Sequence, residues 1–234
     1  MILIKYTFLL LLCGGLVSAQ SLKPTQKFKI AIDEPSDIAY CTESNSCFVV
    51  SDNGQLYETS TEGKLVRKAN LLATDLEGVF VRGEHVYAVD ERLRKIYKLD
   101  RQTLTVKGVF TIPYYGPRNS GYEGMTFNPV KNCFVLVIEK NSPTILELDT
   151  QFRVINETVV KVQDISAVTF QNGKLILLSD EEQAVLVLNP ETYSIEKRFK
   201  IPVVNPEGIS FLPDDRMMVL SDGMNKLFYF NPLF

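Results

Sequence analysis

NPEGISFLPDDRMMVLSDGMNKLFYF, residues 205–230, holds three apolar runs separated by two turns, with an acid opening the first run and another closing the second. Runs of this length, bounded by Pro, Asp, Gly and Asn, read as three antiparallel strands. The opening phrase recurs along the chain. DLEGVFV (75–81) and GYEGMTF (121–127) repeat its Glu-Gly pair, and EPSDIAY (34–40) and DISAVTF (164–170) are degraded copies. Aligning Ser36, Glu77, Glu123, Ser166 and Glu207 gives intervals of 41, 46, 43 and 41 residues. A unit of that length, repeated five times, is the signature of a β-propeller rather than a helical solenoid.

Each unit continues in the same order. Second runs are CFVVSD, VYAVDE, CFVLVIE, LILLSDE and MMVLSDG, whose near-continuous hydrophobicity implies burial on both faces. Third runs follow in QLYETS, KIYKLD, TILELD, AVLVLNP and KLFYFNP, and more polar fourth runs in KLVRKANL, LTVKGVFTI, RVINETVVKV and YSIEKRFKI. The expected fold is therefore all-β, a five-bladed propeller of four-stranded antiparallel blades. The last unit stops at Phe234 after its third run, whereas TQKFKIAI (25–32) copies the fourth-run pattern of EKRFKIP (196–202). The N-terminal strand is expected to complete the last blade and close the ring.

Neighbouring strands in a blade are antiparallel, so the start of the first strand and the end of the second emerge on one face. That reasoning pairs Glu77 with Asp90, Glu123 with Glu139 and Glu207 with Asp222, with weaker pairs at Asp37 with Asp52 and Ser166 with Asp180. These carboxylates form one rim of a central channel. The six acids of the three strong pairs are the candidate metal ligands. Oxygen donors without histidine or thiolate favour a hard cation, calcium or magnesium, and calcium is the expected cofactor. The repeated phrase also has a purely structural reading, in which Glu accepts backbone N–H groups and Gly lets backbones crowd near the axis.

Two places break the symmetry. The connection IPYYGPRNSGYE (112–123) is the longest leading into a first strand and brings Tyr114, Tyr115, Arg118 and Tyr122 to the acidic face. Aromatic rings beside an arginine suit a small ligand, and these four are the candidate ligand-binding residues. The second irregularity is Ser166-Ala167 in place of Glu-Gly. Familiar nucleophilic catalysis is excluded, because the only histidine, His85, follows a turn at the opposite face. No catalytic residue is assigned.

Residues 1–19 read as a signal peptide, with Lys5 before an apolar run and Val17-Ser18-Ala19 before the cleavage point. Lipidation at Cys13 is the second reading. Residues 20–234 form one propeller domain, expected to be a monomer in the periplasm or outside the cell, attached to the envelope membrane only if lipidated or if the leader is retained. A net charge of −3 without basic clusters argues against nucleic acid as a partner. Cys41 and Cys47 flank a turn and are candidates for a disulfide across a hairpin; Cys133 reads as a small buried hydrophobe.

EPSDIAY, FVVSDNGQLYE, DLEGVFV, VYAVDERLRKIYKLD, GYEGMTF and NPEGISFLPDDRMMVLSDGMNKLFYF resemble the SdiA-regulated (YjiK-like) family of bacterial envelope propellers over nearly the whole mature chain. The resemblance implies a propeller at the cell envelope and no defined activity. The sequence departs from the family pattern at Ser36-Asp37 and Ser166-Ala167, which argues against a fully symmetric metal ring. Two functions follow. One is an exported binding module presenting its acidic face to an unidentified small molecule or envelope protein. The alternative is a cation-assisted hydrolase of a phosphoester, ester or lactone, with Glu77, Glu123, Glu207 and Asp222 as ligands or acid–base groups.

Overall fold

The computed structural model describes residues 20–113, 121–139 and 141–234. The expected leader, including Cys13, lies outside the described residues, as do Tyr114, Tyr115 and Arg118. The chain begins with β1 (Gln20–Ser21) and β2 (Gln26–Lys29) and then runs through five units. Blade I is β3 (Pro35–Cys41), β4 (Ser46–Ser51), β5 (Gln55–Ser60) and β6 (Leu65–Lys68). Blade II is β7 (Leu76–Arg82), β8 (His85–Asp90), β9 (Lys95–Asp100) and β10 (Val106–Thr111). Blade III is β11 (Tyr122–Asn128), β12 (Cys133–Ile138), β13 (Thr144–Leu148) and β14 (Val154–Val159). Blade IV is β15 (Ala167–Gln171), β16 (Lys174–Ser179), β17 (Ala184–Leu188) and β18 (Ile195–Lys200). Blade V has β19 (Pro206–Phe211), β20 (Met217–Ser221) and β21 (Lys226–Phe230), and its outer strand is β2.

The ring is thus closed as the sequence predicts: β2 pairs antiparallel with β21, Gln26 opposite Tyr229 and Lys29 opposite Lys226. One contact was not predicted. β1 adds to the outside of blade IV, running parallel to β18 with Gln20 opposite Phe199, so the N-terminal segment bridges the two blades that precede the seam. Removing residues up to Lys29 would leave the third strand of blade V as a bare edge. Such a shortened chain should lose several kcal/mol of stability, or its cooperative urea transition altogether. An unchanged urea midpoint would show that the strand is dispensable.

Second and third strands carry the burial. All six residues of β4 and of β12 are buried, whereas outer strands such as β14 are mostly exposed. This gradient follows from geometry, because inner strands have a neighbouring blade against each face. The core is accordingly five inter-blade clusters. Phe48 and Val50 of blade I meet Val79 and Ala88 of blade II, for example, and Val49 on the other face of the same strand meets Met218 and Leu220 of blade V.

The same alternation corrects the disulfide expectation. Cys47 lies opposite Tyr40, one residue before Cys41, so the two thiols leave opposite faces of the blade and enter different clusters. Side chains on opposite faces cannot bridge, and both cysteines are free and buried. Burial pushes the Cys47 thiol up to about 12, which makes it an inert core residue. Cys133 is likewise buried, as expected.

Candidate functional site at the acidic mouth

The first strand of a blade edges the central channel, and its repeated phrase has a local irregularity. In blades I, II, III and V the ladder between first and second strands slips by one residue at Ser36, Glu77, Glu123 and Glu207. A residue inserted at such a bulge is turned away from the regular alternation, which re-aims its side chain. Blade IV has no slip; Ser166 instead donates its hydroxyl to the Pro206 carbonyl at 2.8 Å and leaves a gap in the rim.

The glycine that follows each glutamate brings neighbouring blades into backbone contact. A Cβ on Gly78 would lie 2.8 Å from the Cα of Gly124, and one on Gly208 would lie 2.8 Å from the nitrogen of Ile38. Side chains of any size are therefore excluded at these points. Asp37 is the exception at this level of the ring. Its carboxylate is buried and accepts N–H bonds from Ile38 and from Val79 of the next blade, both at 2.8 Å, and Ile209 of the preceding blade also bonds to it. Asp37 is a tie across three blades inside the channel and not a member of the rim, where it had been paired with Asp52. Asp52 instead takes the Ser36 hydroxyl.

Above that tie the mouth opens as a recess of about 240 Å3 lined by seven carboxylates and Ser36. Glu77, Glu123, Glu139, Glu207 and Asp222 of the predicted set are among them, joined by Asp52 and Glu91. Asp90 is not. It lies opposite Leu76 in the ladder and is fully buried, and it accepts N–H bonds from Thr74 at 2.9 Å and Leu93 at 2.8 Å. Because strand side chains alternate, placing the pair one residue early put the wrong acid on the rim. The signal was available: aligning VYAVDE with LILLSDE sets Asp90 against Ser179 and Glu91 against Asp180. Ser179 and Ser221 indeed accept the N–H three residues on, from Glu182 at 3.1 Å and Met224 at 3.2 Å, as Asp90 does from Leu93.

Asp75 is a second residue that the pairing rule missed. It is two positions before Glu77, and ligand oxygens of Asp75, Glu77 and Glu91 all lie within 4.8 Å of one another, so this cluster could hold a metal ion. Arg92 balances Asp75 at 3.1 Å. Among the described residues no Lys or Arg reaches ion-pair distance of Glu77, Glu123 or Glu207.

The electrostatic consequence is a mouth that resists ionisation. Burial first, and then the charges of Asp52, Asp75 and Glu91, push Glu77 up to about 9. Burial and the charges of Asp180 and Asp222 push Glu207 up to about 8. Glu123 is raised well above the usual carboxylate range by burial and by Glu77 and Glu139. Glu91 and Asp222 rise for the same first reason, loss of water.

Tyr122 is turned into a core cluster rather than toward the mouth. It is fully buried at the start of β11, with its hydroxyl donating to the Ile112 carbonyl at 3.1 Å. It anchors the loop whose middle falls outside the described residues. His85 begins β8, at the end remote from the acids, and stacks on Tyr87. A separate cleft of about 1000 Å3 lies on the flank between blades II and III, lined by Phe110, Leu146 and Phe152.

Five four-stranded antiparallel blades around a channel define a five-bladed β-propeller. The chain belongs to the SdiA-regulated family, whose sequence profile matches residues 21–231. No curated protein matches it in sequence. Among solved structures it is similar to the glutaminyl cyclase of Myxococcus xanthus, at 15% identity and a TM-score of 0.72 over 91% of this chain and 98% of that one. A streptogramin B lyase matches at 13% identity and a TM-score of 0.53, covering 89% of this chain and 73% of that one. A protein of unknown function from Bacteroides caccae matches at 10% identity and a TM-score of 0.60, covering 80% and 70%. At these identities the likeness is one of fold.

Proposed function

We propose that the protein is an exported binding module of the bacterial envelope whose acidic mouth holds a calcium ion and presents it to a small molecule or envelope partner. The observation that carries this reading is the recess of seven carboxylates without a basic side chain from the described chain at Glu77, Glu123 or Glu207. Carboxyls placed as Glu77, Glu123 and Glu207 are favour protons or a shared cation, and a divalent ion relieves the repulsion of several acids at once. Donors that are all oxygen, partly buried, and spaced within 4.8 Å in the Asp75, Glu77 and Glu91 cluster suit calcium, which takes six to eight oxygens at about 2.3–2.6 Å. Export rests on the leader read at residues 1–19. The expectation that Tyr114, Tyr115 and Arg118 contact the ligand belongs to this proposal.

A hydrolytic reading draws on Glu123, a buried carboxyl raised well above the usual carboxylate range, the direction a general acid requires. Two of the similar propellers are enzymes by name, a cyclase and a lyase. Calcium titration by calorimetry, followed by a screen of phosphoesters and lactones with and without chelator, separates the readings. Binding of calcium that Glu77→Gln weakens about tenfold or more, without turnover, supports the module. Turnover abolished both by chelator and by Glu123→Gln would replace it with the hydrolase, and absence of calcium binding would remove the cation from both.

A further inference from the structure

The five inner strands also end in a second recess, at the far side of Asp37 from the acids. Its volume is about 360 Å3. Four residues beyond the rim positions, the strands place Tyr40, Phe127, Phe170 and Phe211 around it, and in blade II Phe80 supplies the ring. All but Phe211 are only half-buried: each packs one side against an inter-blade cluster and leaves the remainder at the recess. Thr126, Thr169 and Ser210 lie one residue deeper.

Charge distinguishes the two ends of the channel. No acid lines this recess among the described residues, and its one charged lining residue is Arg82. The Arg82 guanidinium lies 3.5 Å from the centre of the Phe127 ring, a cation–π contact that holds the exposed side chain at the recess. No described carboxylate is within ion-pair distance of it. The equivalent positions in the other blades are Cys41, Asn128, Gln171 and Leu212, so the cation is a single departure from the repeat.

We propose that this second mouth binds a small aromatic carboxylic acid, its carboxylate on Arg82 and its ring among Tyr40, Phe127 and Phe170. A guanidinium edge pairs with a carboxylate through two parallel hydrogen bonds, and flat rings pack against flat rings. Since about 150 Å3 accommodates benzene, the recess holds a substituted single ring or a fused pair. Asp37 separates it from the acidic mouth, so the site does not depend on a cation there.

The test uses 4-hydroxybenzoate and its neutral isostere 4-hydroxybenzamide, titrated into the whole protein in the presence of chelator. We expect one saturable site for the acid, at least about tenfold tighter than for the amide. Methyl resonances of Ile38, Met125 and Ile209, which line the recess, should shift, and chelator should make no difference. Arg82→Leu, which removes one exposed cation–π contact and should lower the thermal midpoint by no more than about 4 °C, should reduce acid binding to the level of the amide. Phe127→Leu should weaken both ligands. Absence of saturable binding by the acid, equal binding of acid and amide, or undiminished acid binding by Arg82→Leu would each overturn the proposal. None of these outcomes bears on calcium at the opposite mouth.

Discussion

Heated in chelator at a series of pH values, the protein should melt at progressively lower temperature as pH rises from about 5 to about 9, a direction opposite to that of most acidic proteins. Glu77 titrates at about 9 and Glu207 at about 8 in the fold, against an ordinary value of 4.5. In that window the unfolded chain has released protons that the folded one still holds. The stabilisation is fully present below the ordinary value, declines across the window and is gone once pH has passed through 8 to 9. For a domain of this size each kcal/mol lost lowers the midpoint by about 2–4 °C. Adding calcium near pH 9 should restore much of the loss, because the ion takes over from the protons. A midpoint that rises with pH in chelator, or one that calcium leaves unmoved at pH 9, would show that the mouth is solvated enough to ionise freely.

Gly208→Val should be the most damaging single substitution in the inner ring. A Cβ there would lie 2.8 Å from the Ile38 nitrogen, 2.9 Å from the Asp37 Cα and 3.1 Å from the Asp37 carbonyl carbon. All three are backbone atoms of another blade, which cannot rotate aside. The expected loss is about 3 kcal/mol or more, read as a fall in the urea midpoint or as failure to fold. Ala167 occupies the same place in blade IV and already carries a Cβ, fully buried, so Ala167→Gly should cost far less. Comparable losses at the two sites would mean that the closeness of blades V and I does not matter.

Much of this architecture can be read from the chain because each blade repeats the same burial problem. The near-continuous hydrophobicity of CFVVSD or LILLSDE marks strands covered on both faces, and the outer strands mark themselves by exposed Lys and Glu. The rim was legible to within one residue. Glu77, Glu123 and Glu207 announce themselves by the glycine beside them, but the partner acid in VYAVDE depends on which of two adjacent carboxylates shares the rim's face, and only comparison with the Ser-Asp units decides it. Asp37 was harder. Its acid stands where other blades have Gly or Ala, and nothing local distinguishes a carboxylate that ties three backbones from one that faces water. The parallel pairing of Gln20 and Ser21 with blade IV carries almost no sequence signal, since two exposed polar residues make a strand only through their neighbour.

That bridging segment sets a timetable for assembly. Thr25 bonds to Tyr229, 204 positions along the chain, so this strand, once made, finds its mate only after the blades between the two have been made. Closing so long a loop is entropically slow, and until it happens the terminal sheet offers an open flank to any stray polypeptide. Refolding after dilution from denaturant should therefore be governed by this final encounter. A permutant with residues 20–31 transplanted behind Phe234 would turn the encounter into a local one.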